Sequence, residues 1–388
     1  MKTNWDLTVF YKDFDDPEFK DDLARLPKEI DAFTAAIAAP AEDEVKKLVS
    51  LVHQEEALSN LFERLSLMIG LTLSVDANNK AANAAMAPLM RAVMGSSLAS
   101  NAFSRYLASL ENLDAIIDAD DELKARAFAL REAAEDAKHQ LPEALEKPVL
   151  KMQLSGGEAF SQLRDKLDAT LLVDYDGKQI PLSAVRALAY DGDADTRRRA
   201  YEAELASYKK IELPMSFCLN NLKAEGETMA ALKGYKGVLD MALAHSRMDE
   251  KTLEAMWTAI REALPELREY FKAKGRLLGH ENGLPFYDLF APVGQSTRTY
   301  TVEEARALLL DLFGHFCPEM GEMMRTAFDE GWIDMYPREG KSGGAFCSGY
   351  YAKNISRVMT NFAGSASDVS TLAHELGHAF NNRMLHHK

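Results

Sequence analysis

His374-Glu375-Leu376-Gly377-His378 is the stretch that decides how the rest of this sequence is interpreted. His374 and His378 are four residues apart, and on an α-helix this spacing puts both imidazoles on one face, close enough to share a metal ion. Neutral imidazoles are good ligands for Zn²⁺, and a carboxylate at the position of Glu375 can reach a water molecule on the metal. The stretch therefore predicts a hydrolytic zinc site, with His374 and His378 as ligands and Glu375 as the general base.

The residues around this stretch favour a helix. Apolar residues recur at three- and four-residue spacing, at Val369, Leu372, Leu376 and Phe380. Ser367 or Asp368 is expected to cap the first turn, because their side chains accept hydrogen bonds from its free N–H groups. The alternative is an amphipathic helix in which the two histidines are incidental and the chain is a structural scaffold that binds neither zinc nor peptides.

The segment upstream of the predicted helix has a different pattern. Residues 332–336, 345–350 and 356–361 are short, carry aromatic or β-branched side chains and are separated by glycines and Asn354, so they predict short strands. The edge of such a strand can pair with an extended peptide, and Gly343 and Gly344 would let a peptide backbone approach closely. We expect the strand that ends near Asn361 to hold the substrate backbone; a purely structural turn at the glycines is the alternative.

The remainder of the chain predicts a mainly α-helical fold. Amphipathic periodicity indicates helices over residues 42–68, 79–94, 97–110, 121–137, 215–232, 251–277 and 301–313. Residues 171–182 differ, since Asp176-Gly177 between two short apolar runs predicts a tight hairpin. The cluster Arg197-Arg198-Arg199 follows several aspartates and is expected to form a solvated, paired helix face.

Composition limits the classes of partner. The chain has 388 residues, 47% of them hydrophobic and 27% charged, which is typical of a globular protein with a sizeable core. The net charge of −15 argues against nucleic acid as a partner, because phosphate binding needs clustered Lys and Arg. Short peptides are compatible with this balance.

Cysteine usage and hydropathy indicate the compartment. Cys218, Cys317 and Cys347 are far apart and have no paired metal spacing, which favours a reducing cytosol. The N-terminal residues have no apolar core typical of a signal peptide, and no run is apolar enough to cross a bilayer. We therefore predict a cytoplasmic protein with no membrane segment.

Three segments resemble one family of zinc metallopeptidases, that of oligoendopeptidase F and thimet oligopeptidase. Thr371-Leu372-Ala373-His374-Glu375-Leu376-Gly377-His378 resembles its zinc helix, Lys341-Ser342-Gly343-Gly344-Ala345-Phe346-Cys347 its glycine-rich segment, and Val358-Met359-Thr360-Asn361-Phe362-Ala363-Gly364 its substrate-flanking strand. The resemblance implies a mainly α, two-lobed, zincin-like body whose channel admits short peptides. It suggests an N-terminal helical lobe over residues 1–202, including the hairpin near 171–182, and the first part of a catalytic domain over residues 203–388.

The sequence departs from this family after His378. Family members carry a third zinc ligand, a Glu on a later helix, and oxyanion-stabilising Tyr and His groups, whereas this sequence ends at Lys388. His386 and His387 are poor substitutes, because they lie more than two helical turns beyond His378. The expectation is the N-terminal part of a longer peptidase, which self-associates through exposed core surface. The alternative is a peptide-binding fragment that cannot cleave for lack of the third ligand.

Overall fold

The computed structural model describes residues 2–294, 298–338 and 340–385. In these ranges the chain forms sixteen α-helices and five short β-strands. The helices are α1 Pro17–Ala38, α2 Glu44–Val75, α3 Lys80–Ser109, α4 Leu113–Asp118, α5 Asp121–Ala125, α6 Ala127–Asp136, α7 Glu143–Ser155, α8 Gly157–Thr170, α9 Leu182–Ala187, α10 Ala194–Tyr208, α11 Glu212–Leu232, α12 Val238–His245, α13 Glu250–Leu277, α14 Val302–Phe316, α15 Pro318–Asp329 and α16 Ala366–Leu385. The strands are β1 Leu172–Tyr175, β2 Lys178–Pro181, β3 Ile333–Asp334, β4 Phe346–Tyr350 and β5 Ile355–Met359. The predicted mainly α fold with a few short strands is confirmed.

The contacts divide the chain into two compact units. The first unit comprises residues 1–135 and 297–388, and the second comprises residues 136–296. This division differs from the predicted lobes 1–202 and 203–388, which stay a prediction. None of the helices in the described ranges combines the length and hydropathy needed to span a bilayer.

The first three helices of the first unit begin at capping side chains. Asp16 accepts a hydrogen bond from the N–H of Glu18, Asp43 caps α2, and Asn79 caps α3. Helices α1, α2 and α3 pack on one another and bury a shared apolar core. α3 runs unbroken from residue 80 to 109, so the prediction of two helices there is wrong. A glycine inside a helix costs only about 1 kcal/mol, and the packing of α3 on α1 at Gly95 outweighs that cost.

The second unit contains the predicted hairpin. β1 and β2 pair antiparallel with Val173 opposite Ile180, and the turn between them has Asp176 at φ 50° and Gly177 at φ 74°. Positive φ at both turn residues is the geometry of a two-residue hairpin, so the prediction for residues 171–182 is confirmed.

One prediction for the second unit is wrong. Arg197 is buried, not solvated: its side chain is 3% exposed, and its Nε lies 2.7 Å from Oδ1 of Asp288, whose side chain is 1% exposed. Arg198 and Arg199 behave as expected, since their side chains are 43% and 38% exposed and both pair with Asp195. The three arginines differ because α10 turns the first toward the segment around Asp288, which follows 91 residues later in the chain.

The sheet of the first unit supports the helix that carries His374, Glu375 and His378. Its order is β3-β5-β4, with β3 parallel and β4 antiparallel to β5. The strands occupy parts of the three predicted segments. α16 packs on this sheet, and Leu372, Leu376 and Ala379 from its inner face enter a core with Val358 of β5. The sheet thus fixes which face of α16 is buried and which is free.

Candidate metal site and its cavity

The N-terminus of α16 is fixed by a reciprocal capping box. Ser365 precedes the helix and its Oγ accepts a hydrogen bond from the N–H of Asp368 at 3.1 Å. The Asp368 carboxylate in turn accepts from the N–H of Ser365 at 2.9 Å and from that of Ala363 at 3.0 Å. Ser365, and not Ser367 or Asp368, is therefore the cap, because the helix begins at Ala366. The Ser-x-x-Asp spacing was present in the sequence and could have identified it.

His374 and His378 converge on the exposed face of α16. Their Nε2 atoms lie 3.1 Å apart, their ring centroids are 4.7 Å apart, and the ring planes are nearly perpendicular at 88°. Because the two positions are one turn apart, the helix itself sets this approach. The structure therefore brings the two predicted ligands together.

Glu375 is less exposed than the two histidines. Its residue exposure is 8%, whereas both histidines are exposed. The carboxylate accepts no hydrogen bond from any residue that the structure describes, and it borders the same cavity as His374. An unpaired carboxylate at this position can exchange a proton with a molecule in the cavity.

A cavity of about 630 Å³ lies beside α16. One wall is the first half of α16, including Thr371, His374 and Glu375. The opposite wall is made by Gly344, Ala345 and residues 360–362, which follow β5. Of the predicted peptide-contacting residues, Gly344 and Asn361 line this cavity, while Gly343 precedes its wall in the chain.

The Cys347 thiol on β4 is half-buried. Burial raises the pKa of Cys347 to about 11, and the negative charge of Glu375 adds to this effect. Asn382 of α16 contacts the sheet nearby and donates a hydrogen bond to Ser356 Oγ at 3.3 Å. These contacts join α16 to β4 and β5, and nothing in the sequence pattern pointed to them.

The two imidazoles fit a tetrahedral metal ion. Zinc–nitrogen bonds of 2.0–2.1 Å place two imidazole nitrogens about 3.3 Å apart in tetrahedral geometry, close to the 3.1 Å seen here. In the described ranges, no third His, Cys, Asp or Glu side chain joins this pair. His386 and His387, the weak candidates for that role, lie outside the described residues.

Two protein-family profiles match the chain. Residues 187–386, just over half of it, match Peptidase family M3, and residues 108–172 match the profile described as Oligopeptidase F. The M3 match spans the cavity, the sheet and both histidines. The resemblance drawn from the three sequence segments is therefore confirmed.

Individual relatives match over most of this chain but less of their own length. The oligoendopeptidase F homolog of Lactococcus lactis subsp. lactis (strain IL1403) is 22% identical over 399 residues, which cover 98% of this chain and 64% of the relative. Oligopeptidase PepF of Bacillus subtilis (strain 168) is 26% identical over 267 residues, which cover 67% of this chain and 39% of the relative. The chain thus spans less than two thirds of the length of either protein.

Solved structures share the fold. PZ peptidase A with inhibitor 2 has a TM-score of 0.72 and 18% identity, and the match covers 94% of this chain and 62% of that one. Oligoendopeptidase F from Enterococcus faecium has a TM-score of 0.59 and 17% identity, with 80% of this chain and 63% of that one covered.

Proposed function

We propose, from the premise that this chain belongs to peptidase family M3, that it carries the metal-binding and general-base residues of a zinc-dependent endopeptidase acting on short peptides. One observation carries the proposal. On α16, two imidazole Nε2 atoms lie 3.1 Å apart, and Glu375, which follows His374 in the sequence, is a largely buried residue that borders the same cavity as His374.

His374 and His378 would hold the metal through their Nε2 atoms. Zn²⁺ is the expected ion, because imidazole nitrogen is one of its preferred ligands. When bound, it would supply Lewis-acid polarisation of the scissile carbonyl and make a water molecule more acidic. The rigid turn of α16 between the two residues sets the spacing of the ligands in advance.

Glu375 would move the proton. Its carboxylate would take a proton from the attacking water and deliver it to the nitrogen of the leaving amine. Because it accepts no hydrogen bond from the described residues, both carboxylate oxygens are available for this transfer.

The cavity wall opposite α16 would hold the peptide. Gly343 and Gly344 have no side chain, and apart from their neighbours in the chain no described heavy atom lies within 4 Å of where a Cβ would stand at either residue. A peptide backbone can therefore approach the main chain closely along the segment that leads to Ala345. The names of the relatives, oligoendopeptidase F and oligopeptidase, support short peptides as the substrate class.

The proposal is tested with zinc titration and a cleavage assay on the same proteins. We expect His374→Ala and His378→Ala to weaken zinc binding at least about tenfold in calorimetric titration, since each removes one of the ligands. His315→Ala is the matched control, because His315 is an exposed histidine at the end of α14, remote in sequence from the motif. Unchanged zinc affinity in His374→Ala would overturn the metal assignment.

Glu375→Gln separates metal binding from proton transfer. We expect this variant to bind zinc as the unsubstituted chain does and to cleave a quenched fluorescent peptide about 10²–10⁴ times more slowly. Cleavage at the original rate would exclude Glu375 as the base. Zinc and peptide binding with no cleavage by the unsubstituted chain would instead assign it the role of a peptide-binding protein.

A further inference from the structure

The segment of residues 340–345, which we call the glycine-rich loop, lies between β3 and β4, and its last two residues, Gly344 and Ala345, line the cavity. Gly340 and Gly344 have φ of 79° and 78°, a backbone conformation that other residues rarely adopt. Within the described residues, the backbone N–H groups of Gly343, Gly344 and Ala345 have no hydrogen-bond acceptor. Such groups at a cavity wall are available to a ligand.

Asn361 holds this loop from the end of β5. Its Nδ2 donates hydrogen bonds to the carbonyl oxygens of Ser342 and Gly344, both at 2.9 Å. One side-chain amide therefore bridges two carbonyl groups that are two residues apart. Its two N–H donors are fully used by these contacts.

These two contacts also orient N–H groups on the other side of the loop. In a trans peptide the C=O and the following N–H lie in one plane and point in opposite directions. The structure contains no cis peptide in the described residues. When Asn361 holds the carbonyls of Ser342 and Gly344, the N–H groups of Gly343 and Ala345 consequently point away from it. Backbone donors without an acceptor in the protein can bond to carbonyl groups of a bound peptide backbone.

A buried ion pair anchors the start of the loop. The Lys341 side chain is fully buried, and its Nζ lies 2.6 Å from Oδ1 of Asp334, which is also buried. It donates a further hydrogen bond to the carbonyl of Tyr336 at 2.8 Å. The next residue, Ser342, donates its N–H to the carbonyl of Ser74 at the end of α2 at 2.8 Å. The loop is thus held at Lys341 and Ser342, directly before Gly343.

We propose that Asn361 is a positioning residue, which acts through the glycine-rich loop by aiming the N–H groups of Gly343 and Ala345 at the backbone of a bound peptide. This inference rests on the proposed function, and it replaces a direct contact of the Asn361 amide with the substrate. The Lys341–Asp334 pair supplies the fixed end against which Asn361 holds the loop.

Asn361→Ala and Asn361→Asp test this role. The first removes the bridge, and the second places carboxylate oxygen where a donor stood, facing two carbonyl oxygens. Asn220→Asp, on an exposed face of α11 in the second unit, is the matched control. All variants carry Glu375→Gln so that no peptide is consumed. Zinc affinity and melting temperature are measured first, and both are expected to stay at the values of the Glu375→Gln parent.

Two readouts then separate positioning from contact. Hydrogen exchange in the peptide-free protein should become several-fold faster at the N–H of Ser342, because the loop loses its bridge. Binding of a fluorescein-labelled octapeptide of Gly, Ala and Phe should weaken about tenfold for Asn361→Ala, and more for Asn361→Asp. Asn220→Asp should change neither quantity.

Each other outcome overturns the inference. Weaker peptide binding with unchanged exchange would mean that Asn361 touches the peptide itself. Faster exchange with unchanged binding would mean that the loop does not hold the peptide. A Glu375→Gln parent that binds neither zinc nor the octapeptide would refute the proposed function as well. The two preceding outcomes would refute only the role of Asn361.

Discussion

Asn382 of α16 lies directly over Gly349 of β4: a Cβ on that glycine would stand 2.8 Å from Nδ2 of Asn382 and 3.1 Å from its Cγ. The same amide donates a hydrogen bond to Ser356 on β5. The helix that carries the two histidines therefore rests on the sheet at a position where a larger residue would have to displace the Asn382 side chain. This contact, near the C-terminal end of α16, and the capping box at its beginning set the placement of the histidines between them.

Replacing this glycine should loosen the helix from the sheet. We expect Gly349→Ala to lower the free energy of unfolding by about 1–3 kcal/mol, because the added methyl group overpacks the contact with Asn382. Urea unfolding followed by circular dichroism measures the loss. Shortening the neighbour should restore room, so the double variant Gly349→Ala, Asn382→Ala should be less destabilised than the sum of its single variants. Simple additivity would contradict the steric explanation.

Ser365→Ala should destabilise α16 by about 1 kcal/mol, because the helix loses the side chain that caps its first turn. Ser367→Ala is a sharp control two residues away. Ser367 is exposed on the first turn and makes no hydrogen bond to the described residues, although the sequence made it a candidate cap. Thermal unfolding of both variants measures the two losses of stability. An equal loss in Ser367→Ala would show that the capping hydrogen bonds of Ser365 add no stability of their own.

Arg197→Met should be far more damaging than the same change at its neighbour. It removes the guanidinium partner of the buried Asp288 carboxylate and leaves it only the His280 contact, and breaking a buried pair in this way costs about 3 kcal/mol. Arg198→Met removes only exposed contacts to Asp195 and Glu202, so a change under about 1 kcal/mol is expected. Denaturant titration of the two variants gives the comparison. Similar losses would mean that the Arg197–Asp288 pair is not buried in solution.

Cys347 should react slowly with iodoacetamide until the solution is strongly alkaline. The thiolate is the reactive form, and a pKa of about 11 leaves roughly one thiol in a thousand ionised at pH 8. The folded pKa lies above the ordinary value of 9.0, so the fold favours the neutral thiol. The stability contributed by this preference is complete below pH 9 and is lost as the pH rises from 9 to about 11.

The measurement is the alkylation rate of Cys347 at a series of pH values, read by mass spectrometry. In the folded protein the rate should still rise about tenfold per pH unit at pH 10, whereas in urea it should level off above pH 9. Identical profiles in the two states would contradict the burial of this thiol.

The sequence alone determined the parts of the site that depend on local geometry. His374 and His378 meet because residues four apart share a helix face, and that relation needs no other part of the chain. The turn at Asp176-Gly177 and the long amphipathic helices follow from equally local patterns. These are short-range properties, so composition and spacing were sufficient to predict them.

Tertiary structure decided which side chains of these helices and loops are buried and which distant residues they contact. Glu375 is buried and His374 exposed because α16 lies on the sheet of β3, β4 and β5, whose parallel pairing joins strands 20 or more residues apart. Arg197 became a buried partner of Asp288, and Asn361 came to hold the glycine-rich loop, through contacts between segments distant in the chain. Side-chain periodicity reports which face of an element is apolar, but it carries no information about which distant segment covers that face.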